Sequence, residues 1–159
     1  VADRILVVTG ARSLADTPAA KAWAHDKLRA ALAWWEPTLL VHGGCYGSPD
    51  EWAHEMAECP TLVYVADGRL VAYGGPEGDG VRTSWLVAGD IASPLLRNRR
   101  MMQGARLHQD VGAEVLVVGL TAPWARTHGT EHALGRANDY GLRTARRACP
   151  AELGPEVRR

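Results

Sequence analysis

The sequence has no excess of either charge: 18 Lys and Arg balance 18 Asp and Glu over 159 residues, giving a formal net charge of zero. The whole-molecule positive field that marks a nucleic-acid binder is missing, and nucleic acid is not an expected partner. Lysine is scarce, with Lys21 and Lys27 alone, so the basic residues are almost all Arg, a side chain suited to planar recognition of phosphates and carboxylates. Long apolar runs are lacking too. None approaches the roughly 18 residues of a membrane span, and residues 4–10 open the chain on a strand pattern rather than on a basic, apolar leader. A cytoplasmic protein with no membrane partner is expected. Cysteine is sparse and odd in number, with Cys45, Cys59 and Cys149 widely spaced. That argues against a secreted disulfide framework and for reduced thiols.

What is present, with 47% hydrophobic and 23% charged residues, suits one globular domain with a real core. Its centre is residues 42–57, where an apolar strand at 38–41 runs into Gly43, Gly44 and Gly47 and then into a helical pattern. The glycines allow positive φ and close passage of the backbone past a ligand. Ser48 and Asp50 are good helix caps, and Pro49 is allowed in a first turn. Free N–H groups and the helix dipole at such a point favour an anion, most often a phosphate.

Taken in order, residues 4–10 form a continuous apolar run, as in a strand covered on both faces. Thr9-Gly10-Ala11-Arg12-Ser13 is a loop, and Asp16 or Thr17 with Pro18 starts a helix to about Trp35, ended by Glu36-Pro37. The second helix spans about 51–58, and residues 61–66 are a third strand rich in β-branched and aromatic residues. Six glycines fall within 67–92, at 68, 74, 75, 78, 80 and 89. Strand-like alternation at 69–73 and 81–87 predicts a hairpin or ordered excursion there, of the kind that serves as a lid or binding loop. Ser93-Pro94 opens a third helix to about Gln109. Its first turns hold Arg97, Asn98, Arg99 and Arg100, which the helix dipole disfavours, so they are expected to meet acidic groups or an anion. A fourth strand at 111–119, a helix start at Thr127-His128-Gly129-Thr130 running to Tyr140, and a last strand at 142–145 complete residues 1–150. Residues 151–159 read as a flexible tail.

Strands alternating with helices predict an α/β, Rossmann-like three-layer sandwich with a mostly parallel central sheet. The loops after the strand C-termini then line one crevice, which brings together Gly10, Arg12, Gly43, Gly44, Gly47, Ser48, Asp50, Arg97, Asn98, Gly129 and Thr130 as ligand- or phosphate-binding candidates. Arg97, and with it Arg12, would supply counter-charge. Asp50, Glu51 and Glu131 are the carboxylates placed for acid–base work, Asp50 and Glu131 being the catalytic candidates. For Asp50 the simplest role is the helix cap.

Metal ligation is weakly encoded. His42, Cys45, His54 and Cys59 lack the paired spacing of a zinc site, and His128 and His132 lie without the Glu of a His-Glu-x-x-His helix, so no metal is expected. Cys45 sits near a helix N-terminus but has no placed His-Asp or His-Asn pair for cysteine hydrolase chemistry. Trp85 is a candidate for stacking on a base, or an ordinary buried Trp.

Four motifs can be quoted together: Thr9-Gly10-Ala11-Arg12; His42-Gly43-Gly44 with Gly47, Asp50 and Ala53; Pro94 with Arg97-Asn98 and Met101; and Gly129-Thr130 before a helix. In this order they resemble the SLOG superfamily, specifically its small single-domain branch of unknown function related to the YpsA-type proteins, over residues 4–145. The resemblance implies a nucleotide or nucleotide-derived ligand, with phosphate and ribose held by the glycine loops, and a homodimer. No separate cofactor is implied. More distantly the chain is similar to the lysine decarboxylase-like family of cytokinin-activating phosphoribohydrolases, whose helix Arg matches Arg97. That family's Pro-Gly-Gly-x-Gly-Thr-x-x-Glu motif is departed from: Ala125-Arg126-Thr127-His128 precede Gly129-Thr130, and Ala133 stands at the catalytic Glu. Glu131 lies about 200° away on the helix. Three functions follow as expectations: ligand binding at the crevice, a nucleotide N-glycosidase, or an interaction domain without a ligand.

Overall fold

The computed structural model describes residues 2–66, 85–91 and 93–156. Six strands form one sheet: β1 (Arg4–Gly10), β2 (Leu39–His42), β3 (Thr61–Ala66), β4 (Trp85–Ile91), β5 (Glu114–Thr121) and β6 (Arg143–Ala148). They lie in the order β4-β3-β2-β1-β5-β6, and each of the five neighbouring pairs is parallel. Four α-helices accompany them: α1 (Pro18–Trp35), α2 (Pro49–Met56), α3 (Pro94–Asp110) and α4 (His128–Asp139). The architecture is the Rossmann-like α/β sandwich that the alternation of elements predicts.

Alternation along each strand divides the core. Leu6, Val8, Leu40, Leu116, Val118 and Leu120 pack against Ala20, Ala24 and Leu28 of α1 and Trp52 and Ala53 of α2. Ile5, Val7, Val41, Val115 and Val117 face the other way, onto Met101, Met102 and Ala105 of α3 and Ala133, Leu134 and Ala137 of α4. Leu6 and Leu28 are both fully buried; truncating either to Ala costs about 2–5 kcal/mol.

The helix starts follow their caps. Thr17 Oγ1 accepts from the Ala20 N–H at 3.0 Å, and Ser93 Oγ from the Leu96 N–H at 3.1 Å, each followed by Pro in the first turn. The far end of α1 stops at Glu36, which takes φ 50° ahead of Pro37. Trp35 Nε1 donates to the Ile5 carbonyl at 3.0 Å and ties that end to β1.

Several boundaries differ from the sequence expectation. The fourth expected strand at 111–119 begins only at Glu114, because Val111 closes α3 and Gly112, at φ 107°, turns the chain. The last strand runs to Ala148 rather than stopping at 145, extended by its ladder with β5. Where a loose tail was expected after Pro150, Ala151–Leu153 forms a 3-10 turn whose Leu153 carbonyl accepts from Thr17 Oγ1 at 2.5 Å. Within the glycine-rich stretch, residues 85–91, which overlap the strand-like alternation at 81–87, form a strand of the main sheet paired with β3. Residues 67–84 and 92, where the rest of that expected excursion falls, lie outside the described residues.

The chain builds outward from β1 through β2 and β3 to β4, and α3 then returns it to β5 on the opposite side of β1. The order therefore reverses between β1 and β5. At such a switch point the first loops on the two sides diverge and leave a crevice beyond the strand C-termini.

Candidate functional site

A cavity of about 300 Å³ opens at that crevice. Its described lining combines the end of β1 and its loop (Thr9, Gly10, Ala11, Arg12), the glycine loop and α2 (Gly43, Cys45, Asp50), the start of α3 (Pro94, Arg97, Asn98, Met101), the start of α4 (Thr127, Gly129, Thr130) and Ala66 from β3. The convergence expected from sequence is thus present for Gly10, Arg12, Gly43, Asp50, Arg97, Asn98, Gly129 and Thr130. Gly44, Gly47, Ser48 and Glu131 are not on the lining.

The glycine loop is folded around carboxylates. Asp50 Oδ2 accepts from the N–H groups of Gly43 and Cys45, both at 3.2 Å, and Glu51 Oε2 accepts from the Gly47 N–H at 3.0 Å. The Gly44 N–H is taken by His42 Nδ1 at 3.0 Å. Gly44 and Gly47 supply the positive φ, 70° and 65°, that this wrapping requires. The N–H groups expected to cradle a phosphate point at side chains of the same loop and helix. Ser48, fully buried, accepts from the Asp50 N–H at 3.2 Å and donates to the Cys45 carbonyl at 2.7 Å, so it is the cap of α2 and lies off the cavity lining.

Asp50 is 4% exposed, and its second oxygen, Oδ1, has no hydrogen-bond partner among the described residues. Burial pushes its carboxyl above the ordinary carboxylate range; the Arg97 guanidinium, the two loop N–H groups and the neighbouring Cys45 thiol oppose that shift without overcoming it. Asp50 is thus more than a cap: it organises the loop through one oxygen and keeps the other buried, without a partner among the described residues.

Arg97 and Asn98 are buried, which answers why a helix start should carry them. Neither forms an ion pair with a carboxylate among the described residues. Arg97 Nη1 donates to the Gly43 carbonyl, its Nε to Asn98 Oδ1 at 2.7 Å, and its Nη2 lies 3.8 Å from Cys45 Sγ. Asn98 Nδ2 in turn donates to the Gly129 carbonyl at 3.1 Å. The ion pairs of the described residues join Arg4, Arg29, Arg106, Arg136 and Arg146 to carboxylates, and Arg97 is not among them. Arg97 and Asn98 make one strap from the glycine loop to the start of α4. Gly43 admits it, since a Cβ there would stand 2.6 Å from Arg97 Nη1. Gly10 plays a similar part at β1, where a Cβ would lie 2.6 Å from the Cβ of Pro49.

The start of α4 is open. Among the described residues Thr127 provides no side-chain cap and nothing lies within 4 Å of a Cβ at Gly129, while Thr130 is 4% exposed. Helix N-termini without a cap present N–H groups and a positive dipole end, here directly on the cavity. Arg12, exposed and on the same lining, adds a full positive charge.

The remaining candidates resolve differently. Glu131 is turned to β6, where it pairs with Arg146 at 2.5 Å, one step of about 100° round the helix from the inward-facing Thr130. His42 Nε2 and His54 Nδ1 lie 2.8 Å apart in the core, hydrogen-bonded to each other. Because Gly44 donates to His42 Nδ1, the proton of His42 sits on Nε2 and is given to His54. Among the described residues no group of three or more His, Cys, Asp or Glu converges on a metal position. Burial, and then the Asp50 charge, raise the Cys45 thiol, so it is not the activated thiolate that a helix N-terminus can produce. Trp85 begins β4, and the contacts of its side chain fall outside what is described. Sequence reasoning did not single out Thr9, Ala66, Met101 and Thr127 as individual wall residues; for Thr9 and Thr127 the readable signal was a hydroxyl residue beside each glycine.

No family model matches the chain, and no curated protein or solved structure matches it significantly.

Proposed function

We propose that the crevice binds a nucleotide or nucleotide-derived ligand, its phosphate at the open start of α4. The observation that carries this reading is the meeting, in one cavity, of an uncapped helix N-terminus with the exposed Arg12. Both favour an anion, as the phosphate of a nucleotide provides. Gly129, Thr130 and Arg12 supply the anion contacts. Arg97 and Asn98 hold the walls in register, and the glycine loop acts through Asp50. A volume near 300 Å³ is at the lower end for a small-molecule site. The resemblance to SLOG proteins agrees with this ligand class and adds a homodimer to the reading.

A second reading, nucleotide N-glycosidase, is favoured by Asp50 alone. A carboxyl on a cavity-lining residue, pushed up by burial, is the group that acid–base cleavage of a glycosidic bond uses. Glu131 does not share that position.

The test is native mass spectrometry of the gently purified protein, then thermal-shift titration with nucleoside monophosphates, ADP-ribose, NAD and cyclic nucleotides, assaying the same samples for free base. Stabilisation by one class without release of base supports binding, and release of base supports the glycosidase. No bound species and no shift would overturn both and favour an interaction domain.

A further inference from the structure

Apart from the crevice, we propose that the outer edge of β6, beside α1, is a docking surface for an acidic segment of a partner protein, which joins the sheet as an added strand. β6 stands at the end of the sheet and pairs only with β5 among the described residues, so its other edge is open to a further strand. α4 packs on one face of β6, whereas α1 and α2 pack over β1, β2 and β5. Between α1 and β6 a groove of about 250 Å³ is left, with Leu116, Val118 and Ala145 of the sheet on one side and Ala30, Ala31 and Trp34 of α1 on the other. Trp34 is 61% exposed, against 7% for its neighbour Trp35. An exposed Trp beside arginines is the residue set that anchors protein interfaces.

The charge of this surface selects the partner. Along β6, Thr144 and Arg146 face α4, where they bond Asn138 and Glu131, while Arg143, Ala145 and Arg147 face α1. Arg146 is therefore neutralised by a carboxylate. Arg143 and Arg147 are exposed and form no ion pair among the described residues, and neither does Lys27 on the α1 side of the groove. Arg143 lies over the rings of Trp34 and Trp35, at 5.2 and 5.8 Å, which holds its charge beside the groove. No acidic residue lines that groove among the described residues. On an added strand every second residue faces α1, so the matching pattern is Glu-x-Val-x-Glu, with acid beside Arg143 and Arg147 and an aliphatic side chain beside Ala145. The pattern is symmetric and serves a parallel or an antiparallel partner. A second copy of this chain is a poorer occupant, because a twofold contact through this face brings the same cations together. Nucleic acid would use Trp34 and the arginines but not the strand edge or the aliphatic floor.

The experiment is fluorescence anisotropy of a labelled peptide of about ten residues, centred on Glu-Thr-Val-Thr-Glu and long enough to span a strand, titrated with the full chain. Binding should saturate and should weaken as salt rises. The same peptide with Lys for Glu should not bind. N-methylation of the Thr positions, or of the Glu and Val positions, blocks one edge of the added strand in each case, and at least one of the two should weaken binding about tenfold or more. Arg143→Glu together with Arg147→Glu should weaken the Glu peptide about tenfold or more and let the Lys peptide bind instead. Trp34→Ala, at an exposed position, should weaken it about fivefold or more and reads the outcome if the charge-reversed variant does not fold. No saturable binding of the Glu peptide would overturn the inference, as would binding that the variants or both N-methylations leave unchanged. Self-association of the chain abolished by Trp34→Ala would overturn it in favour of a second copy. Binding of oligouridylate, without the peptide, that Trp34→Ala abolishes would overturn it in favour of nucleic acid.

Discussion

Gly43 and Arg97 share one space: the guanidinium lies where a side chain at Gly43 would begin, 2.6 Å from the Cβ position, and donates to the Gly43 carbonyl. The glycine is there to admit the strap, and the strap joins the loop to the start of α4 through Asn98. Gly43→Ala is therefore expected to destabilise the protein by about 1–3 kcal/mol, as overpacking does in a closed site. Chemical denaturation checks it. An unchanged midpoint would show that Arg97 can leave its seat freely.

Arg97 and Arg12 should separate under mutation. Arg97→Ala leaves the Gly43 carbonyl and Asn98 Oδ1 without their donors in a buried setting, and is expected to lower stability by about 1–3 kcal/mol. Arg97→Lys does not restore it, since one ammonium cannot span three partners in the plane of a guanidinium. Arg12 is exposed, so Arg12→Ala should leave the melting temperature unchanged and weaken anion binding severalfold, more at low salt. Equal effects of the two substitutions on both readouts would contradict this division.

The raised carboxyl of Asp50 makes a pH prediction. The folded protein holds this proton more tightly than the unfolded chain. The resulting stabilisation is complete below the ordinary carboxylate value, about 3.9, and is lost as pH rises through the raised folded value. Asp50→Asn is uncharged throughout and has no such loss. The difference in melting temperature between variant and wild type should move in the variant's favour as pH goes from about 4 to about 7. A difference independent of pH would mean that Asp50 titrates as an ordinary carboxylate.

Glu131 pairs with Arg146, away from the cavity. Glu131→Gln should leave ligand affinity and any release of base unchanged and alter stability by less than about 1 kcal/mol, as for a half-exposed ion pair. Loss of ligand binding in that variant would return Glu131 to the site.

Much of the architecture is legible locally. Thr17-Pro18 and Ser93-Pro94 announce helix starts because cap and proline act within one turn. The apolar runs ending at Gly10 and His42 announce central strands. The Rossmann-like sheet and its crevice follow from their alternation. What stays hidden depends on partners distant in sequence. The strand-like alternation at 81–87 does not say that residues 85–91 join the main sheet, which pairing with β3 decides. The glycine loop reads as a phosphate cradle until Asp50 and Glu51 are seen to take its N–H groups. Arg97 and Asn98 are visibly odd at a helix start, but the carbonyls that receive them, at Gly43 and Gly129, lie 54 and 31 residues away.

The most direct test of phosphate at the start of α4 is an amide NMR titration of the 15N-labelled protein with nucleoside monophosphates. The resonances of Gly129 and Thr130 should shift and saturate together, with Gly44 and Gly47 far less affected because their N–H groups are already bonded. Saturating shifts confined to the Gly44–Gly47 loop, or to a surface away from α4, would contradict the account.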